Sequence, residues 1–310
     1  MKKIHLYLCG GLGNQLFEYA AARNLAIKNN SQLIIDVNSG FITDFRDPTK
    51  FSLKSNNLQD TKLLRFNFFF LIYRFLKKFG NFDKFLERYL NINVIDETNH
   101  TQFDEKILNV DFNKKMYLIG YFQSNLYFKE NEDKILQEIY PQRPLKVDYL
   151  NLKEEVSKPN SVCIGVRMHE NIEKKFGLKI SEKSKKKIIN QIGGITSSNF
   201  YVEAIEKMKK KINDPKFFIF STKNSNIKKI IDQSDILKKH YVKFITAENG
   251  YEDAYDNLWL MSQFKNFIIS NSTLYWWGAY FSKKKYNKNS VICSLNFPNK
   301  NTCLDEWEKI

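Results

Sequence analysis

The sequence predicts an α/β protein of two domains, with a doubly wound parallel sheet in its C-terminal half. The chain has 310 residues, about twice the length of a common domain. Near the N-terminus an apolar run, a glycine-rich turn and a helical pattern follow one another, and from residue 161 apolar runs alternate with helical patterns. Alternating strands and helices indicate parallel sheets. We therefore expect domains at residues 1–150 and 151–310.

The first strand–turn–helix unit contains an apolar run at 4–8 and the segment GGLGNQLFEYAAARNLA at 10–26. Its glycines match neither the dinucleotide-binding pattern nor the P-loop, so their spacing argues against both phosphate-binding motifs. Two interpretations stay open. Either Asn14 caps the helix and the glycines only allow a tight corner, or the turn faces a ligand that Asn14 binds.

The rest of the N-terminal half has a weaker pattern. A strand is predicted at 32–37, and residues 40–115 alternate loops with aromatic-rich helices. A further strand at 116–122 ends at Gln123 and Ser124. Residues 140–160 form a polar stretch that begins with two prolines, which makes it the best candidate for a linker.

The C-terminal half is predicted to form strands at 161–167, 216–221, 241–245, 266–270 and 290–294, and helices at 199–212, 227–233, 253–263 and 274–281. Ligands bind such sheets beyond the carboxyl ends of the strands. Polar residues predominate at three of these ends: Arg167 with Met168, His169 and Glu170; Ser221, Thr222 and Lys223; and Asn271, Ser272 and Thr273.

These strand-end residues favour a diphosphate site. An arginine, a lysine and hydroxyl groups at a helix N-terminus can together neutralise phosphate. Taken singly, Arg167 could form a surface ion pair, and the segment NSTLYWWG could be a helix cap followed by core tryptophans. Their joint placement favours a nucleotide.

The chain is strongly basic, with 49 Lys and Arg against 34 Asp and Glu and a net charge of +15. Lysine clusters at 183–187, 209–211 and 283–285 indicate an anionic partner or solvated helix faces. No nucleic-acid motif accompanies them, so we expect no nucleic-acid partner. The four cysteines show no paired spacing and no signal core precedes them, which predicts free, mostly buried thiols and a cytoplasmic location.

One segment is a candidate for membrane contact. The residues RFNFFFLIYRFLKKFG at 65–80 contain an apolar run of only 68–73, far short of the roughly 20 residues that span a bilayer. Such a segment either lies at the surface of a membrane as an aromatic and basic helix or docks into its own domain. We therefore consider peripheral contact at the inner face of the membrane.

Four segments, in order along the chain, resemble the family 11 glycosyltransferases, chiefly bacterial α-1,2-fucosyltransferases. The turn at 10–26 matches the N-terminal motif of that family. GYFQSNLYF at 120–128 is similar to its G-Y-[FW]-Q-S-x-x-[YF]-F segment, FFIFSTKNSNIKK at 217–229 to its F-x-I-F-S-D-D stretch, and NLWLMSQFKNFIISNSTLYWWGAYF at 257–281 to its D-L-x-L-M-S block ending in N-S-S-F-S-W-W-G-A.

The resemblance implies a fold of the glycosyltransferase-B type, with two Rossmann-like domains facing a cleft. It implies a nucleotide sugar in the C-terminal domain and an oligosaccharide acceptor held largely by the N-terminal one. The enzyme class and the basic charge together favour a lipid-linked acceptor. The implied reaction is an inverting, metal-independent transfer of L-fucose from GDP-β-L-fucose to the 2-hydroxyl of a galactoside in surface-glycan synthesis. No cofactor is implied, and the sequence shows no isolated Asp-x-Asp at a strand end.

The H-x-R-R-x-D motif of the family falls on residues 165–170, where Arg167 is kept and Gly165, Met168 and Glu170 depart. The resemblance implies catalytic roles for Arg167 and Asn14, with Glu170 or His169 as base. The implied donor-binding residues are Gly11, Gly13, Arg167, Ser221, Thr222, Asn271, Ser272 and Thr273. The departures leave two alternatives, a different nucleotide-sugar donor or a non-catalytic nucleotide- or glycan-binding relative.

Overall fold

The computed structural model describes residues 1–41, 61–77, 80, 82–97, 101–168 and 196–310. The chain divides into two compact units, Met1–Tyr140 and Pro141–Ile310, whereas the sequence analysis placed the boundary after residue 150. Within the described ranges, no helix is long and apolar enough to cross a membrane.

The N-terminal unit contains one parallel sheet. Its strands are β1 (Lys3–Tyr7), β2 (Gln32–Asp36), β3 (Thr61–Leu64), β4 (Ile92–Asp96) and β5 (Lys115–Ile119), in the order β3-β2-β1-β5-β4. The predicted strands are confirmed, but β5 ends before 122. The reason is that Gly120 and Phe122 have φ values of 146° and 48°, which an extended strand does not allow.

Four helices of the N-terminal unit are described: α1 (Leu12–Lys28), α2 (Phe68–Leu76), α3 (Phe82–Leu90) and α4 (Glu132–Ile139). Buried polar contacts join α1 to α4. Arg23 lies 2.8 Å from Glu138 in an ion pair, and the Tyr19 hydroxyl donates to the same carboxylate at 2.7 Å. Because both charges are desolvated, losing either partner would strand a buried charge.

The C-terminal unit contains a second parallel sheet, which confirms the predicted α/β class. Its strands are β6 (Ser161–Gly165), β7 (Lys216–Phe220), β8 (Val242–Ile245), β9 (Asn266–Ile269), β10 (Ser290–Cys293) and β11 (Glu308–Lys309). Read from β8, the order is β8-β7-β6-β9-β10-β11. This is the doubly wound order of Rossmann domains, in which the first and fourth strands lie side by side at the centre.

The helices described in this unit are α5 (Val147–Asn151), α6 (Lys153–Val156), α7 (Ser198–Lys211), α8 (Asn224–Gln233), α9 (Asp235–Lys239), α10 (Ala254–Met261) and α11 (Thr273–Tyr286). They include the four predicted from the sequence. Trp276 and Trp277 of α11 are fully buried, so these tryptophans belong to the core.

The stretch at 140–160, predicted as the linker, begins at the boundary between Tyr140 and Pro141 but is not a linker over its whole length. The stretch forms α5 and α6, and it buries Tyr149 and Val156. The carboxylate of Asp256, itself fully buried, accepts hydrogen bonds from the backbone amides of Leu145 at 2.6 Å and Lys146 at 3.1 Å. A distant carboxylate therefore organises a segment whose local composition resembles a linker.

The prediction of four free thiols is also wrong. Cys293 and Cys303 form a disulfide, whereas Cys9 and Cys163 are free. Cys293 ends β10, and the chain then returns to place β11 beside β10. This return brings the two Cα atoms to 6.7 Å, a proximity that the spacing in the sequence does not reveal.

Candidate active site

Both sheets carry polar groups at the point where the strand order reverses. In the N-terminal unit this point lies between β1 and β5, and in the C-terminal unit between β6 and β9. Open α/β sheets bind ligands beyond the carboxyl ends of the strands at such a switch point. The predicted site residues Asn14 and Arg167 follow β1 and β6, so each unit presents one of them there.

In the C-terminal unit, Arg167 lies directly over the N-terminus of α11. Its guanidinium donates from Nη1 to the backbone carbonyl of Asn271 at 3.0 Å, one residue before the helix cap Ser272. Thr196 donates from its hydroxyl to the Asn271 side chain at 3.1 Å. The positive side chain and the positive end of a 14-residue helix thus meet at one place, which favours binding of an anion.

Two buried tyrosines hold the peptide group that precedes Arg167. The hydroxyl of Tyr275 donates to the carbonyl of Val166 at 3.1 Å, and the amide of Arg167 donates to the hydroxyl of Tyr201 at 2.9 Å. Burial raises the pKa of Tyr201 to about 12 and raises that of Tyr275 as well. Both hydroxyls therefore stay protonated, and the backbone of Arg167 is fixed beyond the end of β6.

Gly165 and Tyr275 fit each other. A Cβ atom built on Gly165 would lie 2.3 Å from the Tyr275 ring, well inside contact distance, so no larger residue fits there while the tyrosine is present. The family pattern has histidine at position 165 and serine at position 275. In this chain the large side chain is at position 275 instead of 165, and the Tyr275 ring fills the space that a side chain at 165 would occupy.

The remaining residues that were predicted to bind the donor divide into two groups. Asn271, Ser272 and Thr273 stand at the start of α11 beside Arg167, as predicted. Ser221 and Thr222 follow β7, and the Ser221 hydroxyl accepts from the Lys223 amide at 3.4 Å and from Asn226 at 3.5 Å. These contacts of Ser221 lie within its own loop and α8.

The residues after Arg167 depart from the family motif. Met168 packs against the hydrophobic core of the C-terminal unit, so the position of the second family arginine contributes to packing. His169 and Glu170, the two predicted candidates for a general base, lie outside the described residues.

In the N-terminal unit, the glycine turn leads from β1 into α1. Gly10 has a φ of 74°, and an added Cβ would lie 2.8 Å from Nδ2 of Asn14. Gly11 is the helix N-cap, and an added Cβ there would meet no atom within 4 Å. Gly13 is buried in the first turn. The turn is therefore tight at Gly10 and open at Gly11.

Asn14 does not cap the helix, so that interpretation is wrong. It lies inside the first turn of α1, because the helix already begins at Leu12 after Gly11. Its side-chain oxygen accepts from Nε2 of Gln123 at 3.2 Å. Asn14 thus links the turn after β1 to the loop after β5, the two segments on either side of the switch point.

Buried polar side chains hold these two segments in place. Gln15 donates to the carbonyl of Gly10 at 3.0 Å, and Glu18 accepts from the amide of Cys9 at 2.9 Å. The Gln15 and Glu18 side chains belong to fully buried residues. The polar residues that follow the glycines in the motif therefore hold the backbone of the turn through buried hydrogen bonds.

Glu97 is a buried acid that holds the loop after β5, and the sequence analysis missed it. It follows β4, is buried, and accepts from the amides of Tyr121 at 3.0 Å and Phe122 at 2.9 Å. Burial raises its pKa to about 7, although the two amides act in the opposite direction. The available signal was an acid directly after an apolar run, in INVIDE at 92–97.

Across the described ranges, no group of three or more His, Cys, Asp or Glu side chains is placed to hold a metal ion.

Two lysine clusters lie in the last turns of α7 and α11. Lys211 pairs with Glu308 at 2.5 Å and Lys283 pairs with Glu306, so part of their charge is used within the unit.

Comparison with known proteins identifies the chain. A family model described as Glycosyl transferase family 11 matches residues 2–307. The chain belongs to this family. It is 26% identical over 317 residues to Alpha-1,2-colitosyltransferase from Escherichia coli, with 98% of this chain and 97% of that protein covered. The resemblance inferred from the motifs is thereby confirmed, and the family 11 chain is a glycosyltransferase.

Solved structures are also similar to this family 11 chain. The fucosyltransferase NodZ from Bradyrhizobium is 14% identical with a TM-score of 0.48, over 89% of this chain and 92% of NodZ. A variant of FUT1 from Arabidopsis thaliana in complex with GDP is 12% identical with a TM-score of 0.45, over 89% of this chain and 67% of that one.

Proposed function

We propose that this family 11 glycosyltransferase is an inverting, metal-independent enzyme that transfers L-fucose from GDP-β-L-fucose to the 2-hydroxyl of a galactoside. The observation that carries the proposal is the position of Arg167, which is held at the N-terminus of α11 at the switch point of a Rossmann strand order. That is where a nucleotide diphosphate binds in such sheets.

The leaving group explains why a cation is needed there. During transfer, a bond forms between the acceptor oxygen and the anomeric carbon while the bond from that carbon to the β-phosphate oxygen breaks. The electron pair stays on the diphosphate, so negative charge grows at the phosphate. Arg167 and the positive N-terminal end of α11 are preorganised to stabilise that charge, and Ser272 and Thr273 supply hydroxyl groups beside them.

This arrangement performs the task that a divalent ion performs in metal-dependent transferases. A guanidinium offers several N–H donors in a fixed plane and suits phosphate oxygens. The two tyrosines that fix the peptide before Arg167 limit its freedom, which lowers the cost of ordering it on binding. For the proton of the acceptor hydroxyl, His169 and Glu170 remain our candidate bases.

We assign the acceptor to the N-terminal unit. Its switch point presents an open glycine turn and the amide side chains of Asn14 and Gln123, and such neutral donors and acceptors suit sugar hydroxyls. We further propose that the acceptor is an oligosaccharide of a surface glycan and that the enzyme acts in the cytoplasm. The enzyme class together with the basic charge supports the acceptor assignment.

A second donor is favoured by two specific observations. Gly165 and Met168 depart from the H-x-R-R-x-D motif of the family: the Tyr275 ring fills the space beside Gly165, and Met168 packs against the core of the C-terminal unit. The similar Escherichia coli protein is named for the transfer of colitose. An activated colitose is therefore the alternative donor.

The test is a calorimetric titration of the purified chain with GDP-fucose, GDP, GDP-mannose, UDP-galactose and UDP, with and without EDTA. We expect selective binding of GDP and GDP-fucose that EDTA does not change. Preference for a uridine nucleotide, or loss of binding in EDTA, would contradict the proposal. Transfer assays with fucose and colitose donors, followed by NMR of the product linkage, distinguish the two sugars.

A further inference from the structure

The N-terminal unit carries an exposed apolar surface on α2 and α3. Along α2, Phe68, Ile72 and Phe75 are 73%, 55% and 61% exposed, and their spacing places them on one side of the helix. On α3, Phe85, Tyr89 and Leu90 are exposed as well. We call these six residues the aromatic surface.

The concentration of apolar groups here is unusual for the chain. The exposed phenylalanines among the described residues are Phe66, Phe68, Phe75 and Phe85, so all of them lie in or beside the aromatic surface. Single exposed apolar residues are common on proteins, whereas several on two helices that contact each other indicate an interaction site.

The opposite side of α2 packs against the N-terminal unit, so the helix that carries the exposed side chains is held in place. Phe70 and Tyr73 are buried in a cluster with Tyr7, Tyr117 and Leu86. The cap residue Asn67 accepts from the Phe69 amide at 3.2 Å and donates from its own amide to Asp36 at 2.8 Å. The helix therefore already uses its inner side for packing.

The two helices form one continuous group of rings. Tyr73 of α2 contacts Phe82 of α3 with ring centroids 6.4 Å apart. Phe82 stacks on Phe85 at 5.9 Å, and Phe85 contacts Tyr89 at 5.2 Å. The row of rings thus runs from the core to the exposed end of α3.

Positive charge surrounds this surface. Residues 61–90 contain seven Lys and Arg against two Asp and Glu. Among these cations, Lys62, Arg65, Lys84 and Arg88 are exposed. A second copy of the chain would bring the same positive charge against it, which is repulsive. An anionic surface would instead be attracted.

We propose that the aromatic surface docks this chain on a membrane that contains anionic lipids. The rings and aliphatic side chains enter the boundary between headgroups and acyl chains, and the surrounding cations contact the phosphates. The helices lie in the plane of the membrane, because α2 has nine residues and a span needs about 20. The proposal is independent of the donor sugar.

The experiment is flotation of the full chain with vesicles of phosphatidylcholine alone, or of phosphatidylcholine mixed with phosphatidylglycerol. We expect binding to the mixed vesicles only, weakened by high salt. The combined change Phe68→Ser, Ile72→Ser and Phe75→Ser should lower the binding at least about tenfold. The matched control changes the exposed Leu145, Val147 and Leu295 to serine and should bind like the unmodified chain.

A second pair of variants tests the charge without touching apolar packing. Lys62→Gln with Arg65→Gln should weaken flotation and flatten its salt dependence, whereas Lys210→Gln with Lys239→Gln should not. Circular dichroism and thermal unfolding check that each variant is folded.

Three outcomes would overturn the proposal. The first is that the full chain fails to float with mixed vesicles, and the second is that the serine variant floats as well as the full chain does. The third is that the serine change turns a lipid-free dimer into a monomer, which would show that the surface binds a second copy.

Discussion

In the C-terminal unit the central strand leads to Arg167 and a helix N-terminus, whereas in the N-terminal unit it leads to a glycine turn and neutral amides. The supporting residues differ in the same way. Tyrosine hydroxyls hold the arginine backbone, and buried carboxylates hold the amides of the N-terminal loops. One sheet framework is thus used twice, once to present positive charge and once to present neutral polar groups.

This difference indicates which unit we expect to stabilise the transition state. A developing negative charge is stabilised by a fixed cation and helix amides. A neutral hydroxyl needs only orientation by modest hydrogen bonds. The C-terminal switch point should therefore control the rate, and the N-terminal one should control positioning.

The largest effect is expected at Arg167. Arg167→Ala should lower kcat/KM about 10³-fold, because the leaving phosphate loses its fixed cation, while Asn14→Ala should lower it about tenfold through one lost hydrogen bond. The measurement is steady-state transfer, with the exposed Arg143→Ala as control. Equal losses of kcat/KM in the two variants would contradict the different roles of the two units.

The next effect tests the fit of Gly165 and Tyr275. Gly165→His should destabilise the chain by about 3 kcal/mol, because the new side chain enters the space of the tyrosine ring. Tyr275→Ser alone should cost a similar amount through the cavity it leaves.

The double variant Gly165→His with Tyr275→Ser restores the family pair and should recover most of the loss. Urea unfolding of all four proteins gives the coupling energy. Additive losses in the double variant would show that the two positions do not exchange volume.

A pH-dependent effect is expected from Glu97. Its pKa of about 7 lies above the ordinary value near 4.5, so the folded chain holds a proton that the unfolded chain releases. The stabilisation is complete below about pH 4.5 and is lost as the pH rises through 7, by up to about 3 kcal/mol.

Glu97→Gln cannot lose a proton, so its free energy of unfolding should rise relative to the unmodified chain between pH 5 and 8. Chemical unfolding at several pH values measures this difference. A constant difference across that range would mean that Glu97 does not titrate there and that the loop is held by other contacts.

The smallest effect compares two neighbouring glycines. Gly10→Ala should cost about 2 kcal/mol, because a Cβ disfavours positive φ and would crowd Asn14. Gly11→Ala should change stability by less than about 0.5 kcal/mol, since open space surrounds that position. Thermal unfolding distinguishes them, and a similar cost at both positions would remove the distinction between a tight and an open part of the turn.

The α/β class, eight of the eleven described strands and the family could be predicted from the sequence alone, whereas β3, β4 and β11 were missed. These features depend on apolar patterns and motifs within short segments of the chain. Arg167 and the residues at 271–273 could be placed together because parallel strands end at one edge of a sheet. The proximity of Arg167 to the start of α11 was therefore within reach of the sequence.

Contacts between residues that are distant in the chain could be found only in the folded structure. It paired Cys293 with Cys303, used Asp256 to organise residues 145 and 146, and brought Glu97 to the amides of residues 121 and 122. It also placed Tyr275 against Gly165, 110 residues apart in sequence. Such pairings depend on how the strands are ordered and how side chains fill the space between them, and local residue patterns carry neither.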